Sequence, residues 1–397
     1  MRYLPPIQSV DIQGQRLLVN GEPFFSVTVP LCYTPKSRSR DAIFADMPTN
    51  TVTTHTSDVK VARLFRVDVD RAFSQGRYAL CAFAHDQWKR PHEIEQIVKA
   101  CRDAPGLLAY KLTDEPNIRD NPGPRLLDQD LPRDKYPYIT QPALLEPIYQ
   151  LIKRLDPVHP VWLNLAYGLV KDHEDYAHVS DIQSDDVFPV PTYTMVHVAQ
   201  ASDAVTQGFS GPGWMYLQIS GAYNPVESSD VRCPTIEEVR CMTYMAIAHG
   251  MTGIVYMPFH AGEWWEEQGI LSYVAQLEDL IAELRLLSPA LIAPEVPKLI
   301  AEIIEGHAGN HHFGYTALHT SLRRTANGYF LIAVNAAEWP IKARFQVSVP
   351  IPGLVRQAAV RSERRMVDVQ DGVFEDTFDP VTVHLYEIPF REPQTQP

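Results

Sequence analysis

Gly106-Leu-Leu-Ala-Tyr-Lys-Leu-Thr-Asp-Glu-Pro116 reads as a buried strand that stops on two carboxylates and a proline. A short apolar run bounded by turn formers suits a strand covered on both faces. Seven more runs of this kind flank it, at Phe24–Val29, Thr49–Thr54, Tyr78–Ala84, Pro160–Ala166, Val179–Gln183, Trp214–Ser220 and Gly253–Met257. Between them lie helical patterns. His92–Cys101, Ala143–Leu155, Thr235–Ala248 and Ser272–Leu287 carry apolar residues at helical spacing. Thr235 and Glu238 form a capping box directly after Pro234. Eight strands, each followed by a helix, in about 290 residues fit a (β/α)8 TIM barrel better than an open doubly wound sheet.

The chain on either side of the barrel has a different texture. Val10–Phe25 alternates and contains Asn20-Gly21, a hairpin signal, so a small hairpin is expected to plug or flank the barrel before its first strand. Ser288–Pro297 holds three prolines and reads as a linker. Beyond it, Tyr329–Asn335, Ala343–Val349, Gln357–Arg361 and Val381–Ile388 are β-rich, with Asn327-Gly328 and Asp371-Gly372 as further turns. The expected organisation is a barrel with its hairpin over 1–290, an all-β sandwich over 291–391 and a tail over 392–397.

Composition narrows the possible functions. The 397 residues include 35 basic and 48 acidic side chains, a net charge of −13, which disfavours nucleic acid and anionic lipid as partners. No apolar run reaches the ~18 residues of a membrane span, and Met1–Asp11 has no apolar core of signal-peptide length. A cytoplasmic location is the expectation. Five cysteines without a CxxC pair argue for free thiols rather than a disulfide frame or zinc site. There is no GxGxxG, GxxxxGK[ST], GxSxG or HExxH, so no cofactor and no metal is expected. The 33 prolines against 20 glycines point to stiff loops. Several of those prolines fall in Asn117–Gln141, a long loop after the fourth strand suited to a lid.

In such a barrel the functional groups sit at the C-terminal ends of the strands. That count picks out His55, His85 and Trp88, then Thr113, Asp114 and Glu115, then Asn164 and Tyr167. Asp185 and Asp186 follow at strand six, Gln218 and Tyr223 at strand seven, and Tyr256, His260, Glu263 and Trp264 at strand eight. Trp162, Trp214 and Trp265 lie near the same ends. A rim of acids and aromatics suits a sugar, because carboxylates move protons and flat rings stack on pyranose faces. Burial at a strand end would raise one carboxyl of the Asp114–Glu115 pair toward use as a general acid.

At these residues the chain resembles the clan A glycoside hydrolases, the barrel superfamily of β-galactosidases. Leu18-Val-Asn-Gly-Glu-Pro-Phe-Phe25 looks like an opening common to such barrels, and Gly106–Pro116 looks like their fourth strand, whose terminal Glu is the acid/base. Arg232–Arg240 and Ala248–Tyr256 look like the helix and eighth strand of bacterial relatives. The resemblance implies Glu115 as acid/base and hydrolysis of a β-linked glycoside. Two departures stand out. Asp114 occupies the position of the family's Asn, and strand seven offers Gln218 where the family has its nucleophilic Glu. A Gln cannot form a glycosyl ester. The second acid is therefore expected to be Asp186, then Glu263; otherwise the substrate supplies its own nucleophile, or the barrel binds sugar without cleaving it. Asp114, His85, Asn164, Gln218 and Tyr256 are expected to orient the sugar, with Tyr167, Asp185, Tyr223, His260, Glu263, Trp88 and Trp264 lining the site. A Glu115–Asp186 separation of ~5–5.5 Å would mark a retaining enzyme and ~6.5–9.5 Å an inverting one.

Overall fold

The computed structural model describes residues 4–32, 47–55, 62–119, 135, 137–191, 193–220, 232–258, 270–297, 299–309, 314–348 and 356–390. Tyr223, His260, Glu263, Trp264, Trp265 and most of the loop after the fourth barrel strand lie outside these residues.

The chain begins with a three-stranded antiparallel sheet, β1 (Val10–Gln13), β2 (Arg16–Val19) and β3 (Glu22–Pro23). Asn20 (φ 55°) and Gly21 (φ 80°) turn β2 into β3, as the Asn-Gly pair predicts. Leu17 and Val19 then pack on Tyr78, Leu80, Leu108, Trp162 and Trp214, so this sheet plugs the floor of the barrel.

Eight parallel strands close that barrel: β4 (Ser26–Cys32), β5 (Thr51–His55), β6 (Tyr78–Ala82), β7 (Leu107–Asp114), β8 (Val161–Ala166), β9 (Ile182–Val187), β10 (Gly213–Gln218) and β11 (Gly253–Met257). All eight expected strands are present. β9 starts three residues later than its expected run and so carries Asp185 and Asp186 within the strand. Around it stand α1 (Ala62–Ser74), α2 (Pro91–Cys101), α3 (Pro142–Leu155), α4 (Val170–Tyr176), α5 (Val196–Gly208), α6 (Ile236–Ala248) and α7 (Ile270–Leu291). Three of these, α1, α4 and α5, lie where the βα alternation asks for a helix but the apolar period marks no span. Polar residues such as Asp68, His173 and Ser202 lie on their buried sides and blur the apolar period. Thr235 caps α6 as predicted, its hydroxyl accepting from the Glu238 amide (3.2 Å) and its amide donating to the Glu238 carboxylate (2.8 Å). Helix α7 runs through Pro289 to Leu291, into the stretch that reads as a linker. Proline removes the amide that would bond the Arg285 carbonyl, and the Ser288 hydroxyl donates to that carbonyl instead (3.0 Å).

The remaining strands form two antiparallel sheets. One orders β12 (Leu299–Glu305), β15 (Ile341–Val347) and β18 (Val373–Phe378). The other orders β13 (Leu318–Arg324), β14 (Gly328–Asn335), β19 (Thr382–Pro389), β16 (Gln357–Val360) and β17 (Arg365–Asp368). Leu331, Ala333, Phe345, Phe374 and Tyr386 fill the space between them, making a β-sandwich. Alternate residues of β14, namely Phe330, Ile332 and Val334, face the other way and join the core of the barrel's helical layer. β14 is therefore buried on both faces, which is why its sequence is apolar without alternation.

Candidate active site

The mouth of the barrel is organised by one polar chain running across β7, β8 and β9. Lys111, in the middle of β7, points inward with its side chain only 9% exposed. Its Nζ donates to Asp114 Oδ1 (2.6 Å) and to the Tyr216 hydroxyl (2.9 Å), and lies 5.1 Å from the Trp162 ring centroid. Asn164 Nδ2 donates to Asp114 Oδ1 (3.1 Å) and to Asp186 Oδ2 (3.2 Å). Asn164 Oδ1 accepts from the Ser184 hydroxyl (2.7 Å), which accepts from Trp162 Nε1 (2.8 Å). Each inward residue thus fixes the next, and Asn164 is held in the orientation that presents its amide to both acids.

Consecutive residues of a strand face opposite ways. Glu115 escapes this rule by adopting φ 46°, a left-handed conformation rare outside glycine. Its amide donates to the Asn164 carbonyl (3.0 Å), which extends the ladder while the chain turns. The carboxyl of Glu115 consequently comes beside that of Asp186, close enough for each to shift the other's ionisation, with Asp114 near both. Tyr167, at the end of β8, also takes a positive φ of 45°, and its hydroxyl accepts from the Phe188 amide (3.2 Å). Such conformations cost about 1–3 kcal/mol each and cluster where surrounding structure imposes them.

Electrostatics divide the acids. Burial pushes the Glu115 carboxyl up, and the Asp114 anion pushes it further. Burial raises Asp186 well above the usual carboxylate range, and the charge and hydrogen bond of Glu115 add to that. Two neighbouring carboxyls cannot both ionise cheaply, so the pair is held toward protonation. Burial works against the ionised form of Asp114 as well, but the Lys111 charge and the bonds from Lys111 and Asn164 outweigh it and hold its carboxyl below the usual range. The site therefore combines a proton-holding pair with a fixed anion.

The sequence candidates sort by where the fold puts them. Asp114, Glu115, Asn164 and Asp186 come together. His85 is exposed beside them, close enough for its charge to act on both Asp114 and Glu115. Trp88 is half-buried against the core. Others are turned elsewhere. Gln218 is buried with its amide spent on the backbone of the loop after β9, accepting from the Val190 amide (2.9 Å) and donating to the Val190 carbonyl (2.8 Å). Tyr256 points outward, its hydroxyl 2.9 Å from that of Thr243 on α6. Asp185 faces the helical layer, where Oδ2 accepts from the Gly168 amide (2.8 Å) and lies 3.0 Å from His173 Nε2. Trp162 and Trp214 are fully buried in the lower barrel, with ring centroids 5.1 Å apart, and offer no platform to a ligand. Strand alternation explains Tyr256 and Asp185, which sit one residue out of phase with the inward positions Val255, Met257, Ser184 and Asp186. Sequence reasoning missed Lys111 and Tyr216. The signal for Lys111 was there, a lone cation inside an apolar strand.

The long loop after β7 is anchored at its base. Asn117 pairs with Ala166 through both amide atoms (2.9 Å each), and Arg119 bonds Asp172 (2.7 Å) while stacking over Tyr138. Among the described residues no group of three or more His, Cys, Asp or Glu side chains could hold a metal ion. No described helix is long and apolar enough to cross a membrane.

Solved structures that superpose on the chain include glycoside hydrolases. One such hydrolase superposes with a TM-score of 0.60 at 11% identity, over 96% of each chain. A family 5 glycoside hydrolase from Bacteroides vulgatus gives the same score and identity over 98% of this chain and 95% of its own. The chain has the glycoside hydrolase barrel fold. An α-amylase from Geobacillus thermoleovorans, complexed with acarbose, shares it more distantly, with a TM-score of 0.52 at 10% identity over 93% of this chain and 98% of that one. No protein-family model and no curated sequence matches the chain.

Proposed function

We propose that the protein is a glycoside hydrolase acting on a β-linked glycoside or oligosaccharide, with Glu115 as the general acid. The observation that carries this reading is the Glu115–Asp186 carboxyl pair at the ends of the fourth and sixth barrel strands, raised toward protonation beside an ionised Asp114. A general acid must hold its proton near neutral pH and release it to the glycosidic oxygen as the C–O bond breaks. Glu115 is the more accessible member of the pair and the one set by backbone strain to face the mouth. Asp186 acts as its proton-sharing partner. A nucleophile must be an ionised carboxylate, and the Asp186 carboxyl is held well above the usual range, which favours this role over that of nucleophile. The β-linkage rests on the likeness of Gly106–Pro116 to the fourth strand of β-galactosidase-type barrels.

The commitment of Gln218 to Val190 favours one second reading, a barrel that binds sugar without cleaving it. A panel of aryl glycosides and natural β-glycans separates the two. The hydrolase reading expects product from at least one substrate, and turnover at least about 10²-fold lower in Glu115→Gln on a natural glycan. Oligosaccharide binding by calorimetry with no product by chromatography would support the binding reading instead.

A further inference from the structure

We propose that the reacting sugar carries a 2-acetamido group, and that its carbonyl oxygen, steered by Asp114, is the nucleophile. This inference rests on the glycosidase reading and adds the substrate class. Three observations lead to it. First, Asp114 Oδ1 is occupied by Lys111 and Asn164, whereas Oδ2 accepts no hydrogen bond among the described residues and the side chain is 47% exposed. An anionic oxygen is left facing the mouth beside the acid, in the right chemical state to accept an N–H. Second, among the described residues Lys111 hydrogen-bonds to Asp114 and to the Tyr216 hydroxyl and ion-pairs with Asp114, so this buried cation is placed to keep Asp114 charged and in one orientation. Third, the Asp186 carboxyl is buried beside Glu115, close enough for Glu115 to raise it further, and Gln218 at the seventh strand is bound to Val190. Among the described residues, the seventh strand ends on Gln218 and supplies no carboxylate. A neighbouring carbonyl on the substrate fills the role of nucleophile.

The chemistry balances without any further reagent. Glu115 gives its proton to the glycosidic oxygen as the C1–O bond breaks, and the leaving group departs as an alcohol. The acetamido oxygen forms a bond to C1, and the positive charge of the resulting oxazolinium is shared with its N–H, which donates to Asp114 Oδ2. Glu115, now a carboxylate, takes a proton from water while the water oxygen attacks C1. The ring opens, the configuration at C1 is retained and Glu115 is protonated again.

The test compares nitrophenyl 2-acetamido-β-glycosides of gluco, galacto and manno configuration with their 2-hydroxy counterparts, and adds N-trifluoroacetyl analogues, whose carbonyl is a poorer nucleophile. The expected result is acetamido substrates favoured by about 10²–10³ in kcat/KM, the gain of one preorganised transition-state interaction, with kcat falling as fluorines are added. Asp114→Asn should lower kcat on acetamido substrates more than it raises KM. The fluorine series needs no variant, so the proposal stays testable if Asp114→Asn fails to fold. Equal or faster cleavage of the 2-hydroxy substrates, or a 2-fluoroglycosyl ester on the protein by mass spectrometry, would overturn the proposal and leave the glycosidase reading standing. Failure to cleave any glycoside would overturn both.

Discussion

Glu115 owes its chemistry to two neighbours and one torsion. The left-handed turn brings its carboxyl to Asp186, and the Asp114 anion beside it disfavours ionisation. Removing that anion has a definite sign. In Asp114→Asn the charge that raises Glu115 and Asp186 is gone and Lys111 loses its counter-ion, and both changes favour ionised carboxyls. The proton of the pair is then lost at lower pH. The basic limb of the kcat/KM–pH profile should move to lower pH in this variant; a limb that stays in place or moves up would show that Asp114 does not set the pair. The two carboxylates were legible in the sequence because they end an apolar strand before a proline. Their contact partners were not. Only register decides that Asp186 faces inward and Asp185 outward, and a one-residue slip would exchange them.

Elements were legible where their local signals agreed. The Asn20-Gly21 turn, the Thr235–Glu238 box and all eight barrel strands follow from spacing and turn chemistry. Helix α7 passes Pro289 because Ser288 supplies the missing donor, a substitution no propensity scale encodes. The capping box of α6 permits a clean test. Thr235→Ala removes the acceptor for the Glu238 amide and should lower stability by about 1 kcal/mol in denaturant titrations, with m unchanged. An unchanged midpoint would mean that packing against β14 alone fixes the end of this helix. The same helix carries the sandwich, so the cap supports the barrel and the second sheet together.

At the scale of the molecule, the sandwich is attached through polar contacts as well as apolar ones. Arg323 on β13 donates to the Ile247 carbonyl near the end of α6 (2.7 Å), and His319 lies 2.9 Å from His249, which in turn lies 2.8 Å from Asp203 on α5. Burial, and then the neighbouring His249, push the His319 imidazole down to about 3. Its folded value lies below its unfolded value of 6.5. The stability it supports is therefore present above pH ~6.5 and lost as pH falls toward 3. The thermal midpoint should drop as pH is taken from 7 to 4, and drop less in His319→Leu; parallel curves for the two proteins would remove His319 from the acid response. None of these histidines was legible as a cluster, because the contacts join positions 70 and 46 residues apart.

The most direct measurement of the central claim is the dependence of kcat/KM on leaving group. For a series of aryl glycosides of rising phenol pKa, a general acid matters most where the departing oxygen is most basic. The Glu115→Gln variant should cleave a dinitrophenyl glycoside nearly as fast as the wild type and lose about 10²–10⁴-fold on a poor leaving group, giving a steeper plot than the wild-type enzyme. Parallel plots, with the same loss for every leaving group, would contradict the assignment of Glu115 as the proton donor.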